Sequence, residues 1–222
     1  MTTSKCIFTI CFGNHDFLRE PVIKSKGWDY ICFTDNKDLK SDVWNIRLID
    51  SNLEPKYTAR YVYINSHLFT KKYSYSLMWG TQIRQIGDIN NFIKCFNLKA
   101  DFNLMRHPCR TSLYKEAEII IKEKIDFPEN VNPQMERYRS EGFPDNFGLS
   151  ACGIIGRWNN EKTKRFNEQW WEELKKGSYR DQLSFDYVRW KNPDILFSWF
   201  GYDEALHGEY FELYKHNTNI KI

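Results

Sequence analysis

Arg180, Asp181 and Gln182 stand side by side in the stretch Gly177-Ser178-Tyr179-Arg180-Asp181-Gln182-Leu183-Ser184-Phe185. A cation, a carboxylate and an amide at one point of the chain suit a polar, charged substrate. Leu183, Tyr187, Val188 and Trp190 recur roughly as a buried helical face. The trio therefore falls at a helix N-terminus, with Ser178 or Asp181 as the N-cap. Backbone N–H groups and the helix dipole favour anions there. The plainer use of the same residues is a capping Asp beside a solvated Arg.

Three further positions have the right chemistry. Gly13 follows the apolar run Cys6–Phe12 and lets the backbone approach a ligand closely. Asp35 follows the apolar run Trp28–Phe33, where a carboxylate can hold a base or ribose or simply make a turn. Arg60, on a helix expected from Tyr57 to Phe69, is out of phase with the inward positions Ala59, Val62, Ser66 and Phe69. From there it can reach the strand ends and clamp a phosphate. His107 sits in the loop His107-Pro108-Cys109-Arg110 with no second metal ligand nearby in sequence, so a structural role is favoured.

These residues need a scaffold, and the chain alternates strand and helix signals. Strands are expected at Cys6–Phe12, Trp28–Phe33, Trp44–Ile49, Tyr73–Trp79, Asn103–Met105, Leu149–Ile155 and Pro193–Phe200. Helices are expected at Tyr57–Phe69, Asn90–Phe96, Leu113–Lys124, Gln134–Ser140 and Lys162–Lys175, and after Arg180. Asp126–Pro133, with its Pro and Asn residues, reads as a loop, and Glu141–Gly148 as an irregular aromatic loop on which a ring can stack. Asp203–Tyr214 reads as a polar-aromatic tail. The pattern is that of an α/β protein with a parallel or mixed sheet. Ligands of such folds bind at the first βα turn, which here is Phe12-Gly13-Asn14. There is no GxGxxG and no P-loop.

The 222 residues fit one domain, 1–222, which can also be the N-terminal part of a longer multidomain protein. A net charge of +3 is too mild for nucleic acid, and suits an anionic small molecule. The six cysteines show no CxxC or zinc spacing and read as reduced thiols, so a cytoplasmic protein is expected. No segment is long and apolar enough to be a signal peptide or a transmembrane span.

Several blocks occur together and in order: IFTICFGNHDFLREP, WDYICFTDN, ARYVYINSHLF, SLMWGTQIRQIGDINNFI, HPCRTSLYKEA, EGFP to GLSACGIIGRWN, and WWEELKKGSYRDQLSF. With them the chain resembles the TOD1/MUCI70-type glycosyltransferase-like family, from about residue 6 to residue 200. It also resembles the N-terminal domain of a chlorella-virus glycosyltransferase that decorates a capsid glycan. The resemblance implies a type-A glycosyltransferase fold, a Rossmann-like mixed sheet flanked by helices. It implies a UDP-sugar donor (glucose or L-rhamnose type), a glycan acceptor, action in the host cytoplasm and often a divalent metal, Mn or Mg. Carried over by position, Phe12, Gly13, Asn14 and Asp35 hold the nucleoside and Arg60 the nucleotide or its diphosphate. The loop Trp79-Gly80-Thr81-Gln82 meets the donor, and Asp181, Arg180 and Gln182 face the sugar and the reacting centre.

One departure bears on the cofactor. The family places carboxylates after the fourth strand to hold the metal against the diphosphate, and hard cations need oxygen ligands. Positions 80 and 82 are Gly and Gln. Two expectations compete: a transferase whose cations neutralise the diphosphate, or a weakened domain that binds nucleotide sugar or glycan without turnover. His207 is the candidate for a late metal ligand.

Overall fold

The computed structural model describes residues 4–206 and 208–222. The strands are β1 (Lys5–Cys11), β2 (Asp29–Thr34), β3 (Asn45–Leu48), β4 (Tyr75–Trp79), β5 (Ile83–Gln85), β6 (Phe102–Arg106), β7 (Ser150–Trp158), β8 (Phe197–Phe200) and β9 (Phe211–Leu213). The helices are α1 (Pro55–Ile64), α2 (Ser66–Phe69), α3 (Ile89–Phe92), α4 (Leu113–Lys122), α5 (Pro128–Ser140), α6 (Glu161–Leu174), α7 (Asp181–Lys191) and α8 (Tyr202–Leu206).

Seven strands form one sheet in the order β3-β2-β1-β4-β7-β6-β8. β1, β2, β3 and β4 are parallel, and β6 pairs in parallel with β8. β7 runs antiparallel to both β4 and β6. The carboxyl ends of β1, β4 and β6 and the start of β7 therefore share one edge. The expected mixed sheet flanked by helices is present. β1, β2 and β4 are apolar on both sides because two separate cores cover the two faces. One core is built on α1, α4, α5, α6 and α7, and the other on Trp28, Trp44, Trp79, Phe92 and Phe211.

The structure departs from the sequence-based expectations in three places. The helix after Glu54 is broken at Asn65 into α1 and α2. Arg157, fully buried on β7, donates to the carbonyls of Tyr63 (2.6 Å) and Ile64 (3.2 Å) and satisfies that helix end. Second, 128–133 is helix. Pro128 occupies the first turn, where its missing N–H costs nothing, and Pro133 lies inside α5. Burial of Val131, Gln134, Met135 and Tyr138, at i, i+3, i+4 and i+7, outweighs the hydrogen bond that Pro133 removes. Third, the tail carries β9, which pairs antiparallel with β5 and draws residues 211–222 back over the β1 turn.

Candidate active site at the strand ends

Gly177 opens the loop that delivers the central trio. A Cβ there would lie 2.5 Å from Gln134 Oε1, so only glycine fits against α5. The amide of Ser178, which is wholly buried, donates to Gln134 Oε1 at 3.0 Å. Its hydroxyl donates to Asp126 and accepts from the Arg180 amide at 3.1 Å. Tyr179 N–H adds a bond to Asp126 at 3.3 Å, and Tyr179 OH donates to the Ile125 carbonyl at 2.8 Å. Asp126 is 5% exposed and also accepts from the Phe127 amide and Asn130 Nδ2. Burial alone would raise its pKa, but these donors hold it below the ordinary aspartate value.

The N-cap of α7 is Arg180, not Ser178 or Asp181, and no side chain caps it. Asp181 is the first helical residue, so its carboxylate is free of capping and faces the cavity. α7 is fixed from behind. Gln182 Nε2 donates to the Ser150 carbonyl at 2.9 Å, and Trp170 Nε1 donates to the Asp181 carbonyl at 3.1 Å. The fully buried Asp186 accepts from Ser150 N (2.7 Å), Ser150 Oγ (2.9 Å) and Arg189 Nε (2.7 Å). Gln182 lines the cavity, yet its amide is spent on holding α7 to β7.

Arg60 reaches Asp181 from α1, with Nε 4.0 Å from Oδ1. Tyr63, one turn further along α1 and 5% exposed, and Cys152, from β7, also face this carboxylate. Burial, reinforced by the charge of Asp181, pushes both the phenol and the thiol up, so both are neutral near pH 7. The Tyr63 hydroxyl, Arg60 Nε and Arg180 Nε are buried without a hydrogen-bond partner. Buried polar atoms without partners are costly, so a polar ligand suits this site.

This centre opens into a cavity of about 1060 Å³. Phe12, Gly13, Arg60, Gly80, Thr81, Gln82, Arg180, Asp181 and Gln182, nine of the residues expected from sequence, line it. A second cavity of about 450 Å³, sharing Phe12 and Pro55 with the first, contains Asp35. Both oxygens of Asp35 accept from the Gly13 amide at 3.1 Å, which holds the turn at φ +64°. A Cβ at Gly13 would press on Pro55 at 2.6 Å, so the glycine is needed for close approach as well as for φ.

Trp79 does not line the cavity. It is 1% exposed and packs edge-on to Trp44 (6.0 Å) and Phe211 (5.1 Å) on the opposite face of the sheet. Strand alternation turns its neighbour Met78 toward the cavity instead. Asn14 is exposed, adopts φ +54° and serves the turn through its backbone without lining the cavity. The ring of Phe143, in the loop expected to offer stacking, is buried against Tyr138 and Trp190. His207 lies outside the described residues.

Several site residues escaped the sequence reading. Asp16 is the acid nearest the β4 loop, 3.4 Å from Thr81 Oγ1. Its oxygens are engaged by Arg19 (2.9 Å), the Phe17 amide (2.7 Å), the Asn217 amide (3.2 Å) and His216 (2.9 Å). His216 also packs on His15, with 4.6 Å between ring centres. The loop Gly80–Gln82 offers no carboxylate, and Asp16 beside it is already engaged by these partners. Among the described residues no group of three or more His, Cys, Asp or Glu is placed to hold a metal ion. This donor set does not fit the divalent cation that the resemblance implies.

A mixed sheet of this order, with its cavity at the strand ends beside the first βα turn, defines the type-A glycosyltransferase fold. The apo structure of WbbM, a bifunctional glycosyltransferase, has the same fold, with a TM-score of 0.52 and 8% identity over 90% of this chain. The chain spans 39% of the length of that protein. The family model described as TOD1/MUCI70, glycosyltransferase-like domain, matches residues 40–216, and the chain belongs to that family. No curated protein matches it. Among the described residues no helix is long and apolar enough to cross a membrane.

Proposed function

We propose that this domain transfers a hexose or deoxyhexose, of the glucose or L-rhamnose type, from a UDP-sugar to a glycan hydroxyl. The observation that carries the reading is the pair Arg60 and Arg180, each with a buried, unpartnered Nε, flanking Asp181 in the cavity. Two guanidinium groups neutralise the departing diphosphate, and the amides at the start of α7 add to them. Asp181 lies at the sugar and stabilises the positive charge that develops at the anomeric carbon. The nucleoside takes the smaller cavity, with Asp35 and the Gly13 turn at its mouth. The resemblance points to a viral capsid glycan as the acceptor. Cys6, Cys32 and Cys152 are free thiols, which suits the cytoplasm.

Isothermal titration of UDP and UDP-glucose, with and without Mn²⁺, tests the reading. Binding that ignores Mn²⁺ supports a donor site built on arginines. Binding only with Mn²⁺ means that other residues supply a metal site, and no binding removes the donor assignment. The carboxylate-free loop also favours a second reading, a domain that binds nucleotide sugar or glycan without turnover. Release of UDP in the presence of acceptor separates the two.

A further inference from the structure

The cavity has two ends. β1, β4 and β6 finish at one edge of the sheet, with β4 and β7 lying between β1 and β6. Neighbouring strands are about 4.8 Å apart, so roughly 14 Å separates the end of β1 from the end of β6. The donor groups named above occupy the β1 side and the middle. Six further lining residues, His107, Pro108, Arg110, Glu116, Ile119 and Ile125, come from the segment that follows β6, and none is among the donor groups named above.

Glu116 is the chemical centre of that end. It lies in the first turn of α4, is 5% exposed, and lines the cavity. Its Oε2 is held by Arg110 Nε and lies 3.9 Å from His107 Nε2. His107 is itself fixed, since its Nδ1 accepts from the amides of Cys109 (3.2 Å) and Arg110 (3.0 Å). Burial, then the charge of Arg110, pushes the His107 pKa down, so the ring is neutral at pH 7. Among the described residues none donates a hydrogen bond to Glu116 Oε1. The carboxylate is thus clamped through Oε2, and its side chain lines the cavity. Beside it, Pro108, Ile119 and Ile125 present apolar surface. A buried carboxylate with one free oxygen, a guanidinium and an apolar strip match a sugar ring, which has hydroxyls on its edge and C–H groups on its face.

We propose that the β6 side is an acceptor subsite for a neutral hexose-type glycan unit. Glu116 Oε1 accepts a hydrogen bond from a sugar hydroxyl, and Ile119 and Ile125 cover the apolar face of the ring. The assignment of this sugar as acceptor rests on the glycosyltransferase reading; the sugar site itself does not.

The test titrates the methyl glycosides of glucose, galactose and rhamnose to millimolar concentration and follows the Ile119 and Ile125 methyl signals by NMR. At least one glycoside is expected to shift both signals. Glu116→Gln should weaken that glycoside tenfold or more while changing the UDP affinity less than twofold. Ile119→Ala, which keeps the carboxylate and its clamp, should weaken it several-fold. If no glycoside shifts these signals, or if Glu116→Gln binds it as the wild type does, the subsite is overturned. Equal losses of glycoside and UDP binding in Glu116→Gln also overturn it, because the two ends are then one site. Wild type that binds a glycoside but not UDP upholds the sugar site and refutes the donor reading.

Discussion

Arg60 Nε lies 4.0 Å from Asp181 Oδ1, joining α1 to the first residue of α7 across 121 positions of sequence. The pair is too long for a good hydrogen bond, and the guanidinium keeps an unused donor. Such a contact holds both groups in place, and on the proposed donor reading a diphosphate would take the arginine without breaking a strong bond. Asp181→Asn should lower transfer by about 10²–10³-fold with the UDP affinity retained. The check is turnover beside a UDP titration; undiminished turnover removes Asp181 from the reaction.

On the proposed donor reading each guanidinium balances charge on the diphosphate, so Arg60→Ala and Arg180→Ala should each weaken UDP by about tenfold or more. Arg60→Lys should recover only part of the loss, since a point charge does not replace a planar fork. Calorimetry of UDP against uridine separates the diphosphate contribution: uridine affinity should be unchanged in all three variants.

The β4 loop allows a direct test of metal use. A Cβ at Gly80 would lie 2.7 Å from Gln82 Oε1, the far end of a flexible side chain. The double variant Gly80→Asp, Gln82→Asp removes that conflict and puts two carboxylates beside Thr81. Binding of UDP by this variant should become Mn²⁺-dependent, whereas binding by the wild type should not. Titrations with and without Mn²⁺ decide it. No change in metal response would mean that this loop does not face the diphosphate.

Asp126 holds the loop that carries Tyr179 and Arg180. Asp126→Ala leaves buried donors unsatisfied and should cost about 1–3 kcal/mol. The sign of the pH effect follows from its lowered pKa. The stability it contributes is present above its unfolded value of about 3.9, and is lost as pH falls through the lower folded value. Asp126→Asn should therefore flatten the acid limb of the stability curve, measured by urea unfolding between about pH 2 and pH 5. Faster amide exchange at Tyr179 and Arg180 in Asp126→Ala would show that the loop has come loose.

Trp79 gives the opposite signature. Trp79→Ala should cost about 3–5 kcal/mol through loss of packing against Trp44 and Phe211. Trp79→Phe should fold with the wild-type UDP affinity, since the ring faces away from the cavity. A donor affinity that falls with the Phe variant would return Trp79 to the site.

Much of this molecule was legible in its residues. The apolar runs of β1, β2 and β4 and the helical periods of α4, α6 and α7 locate their own elements, because hydrophobic spacing and backbone geometry are local properties. Gly13, Asp35 and the Arg180–Gln182 trio could be singled out as well, since each stands at the end of such an element, and Arg60 could be because it is out of phase with the buried face of its helix. Local pattern failed where a distant surface decided the outcome. β4 is apolar on both sides, so alternation could not say that Met78 rather than Trp79 meets the cavity. Pro133 and its neighbours read as a loop until the burial of Val131, Gln134, Met135 and Tyr138 made them helix. Asp16, Tyr63, Asp126, Glu116 and His216 carry no motif. Except for Glu116, which is clamped by its near neighbour Arg110, their roles come from partners tens to hundreds of residues away, as in His216 on Asp16 and Asp126 beneath Ser178. Local spacing was enough to place most of the elements and the chemistry at their ends. Which of those groups share a cavity was settled by folding, because burial and hydrogen bonding between distant segments exist only once the chain has folded.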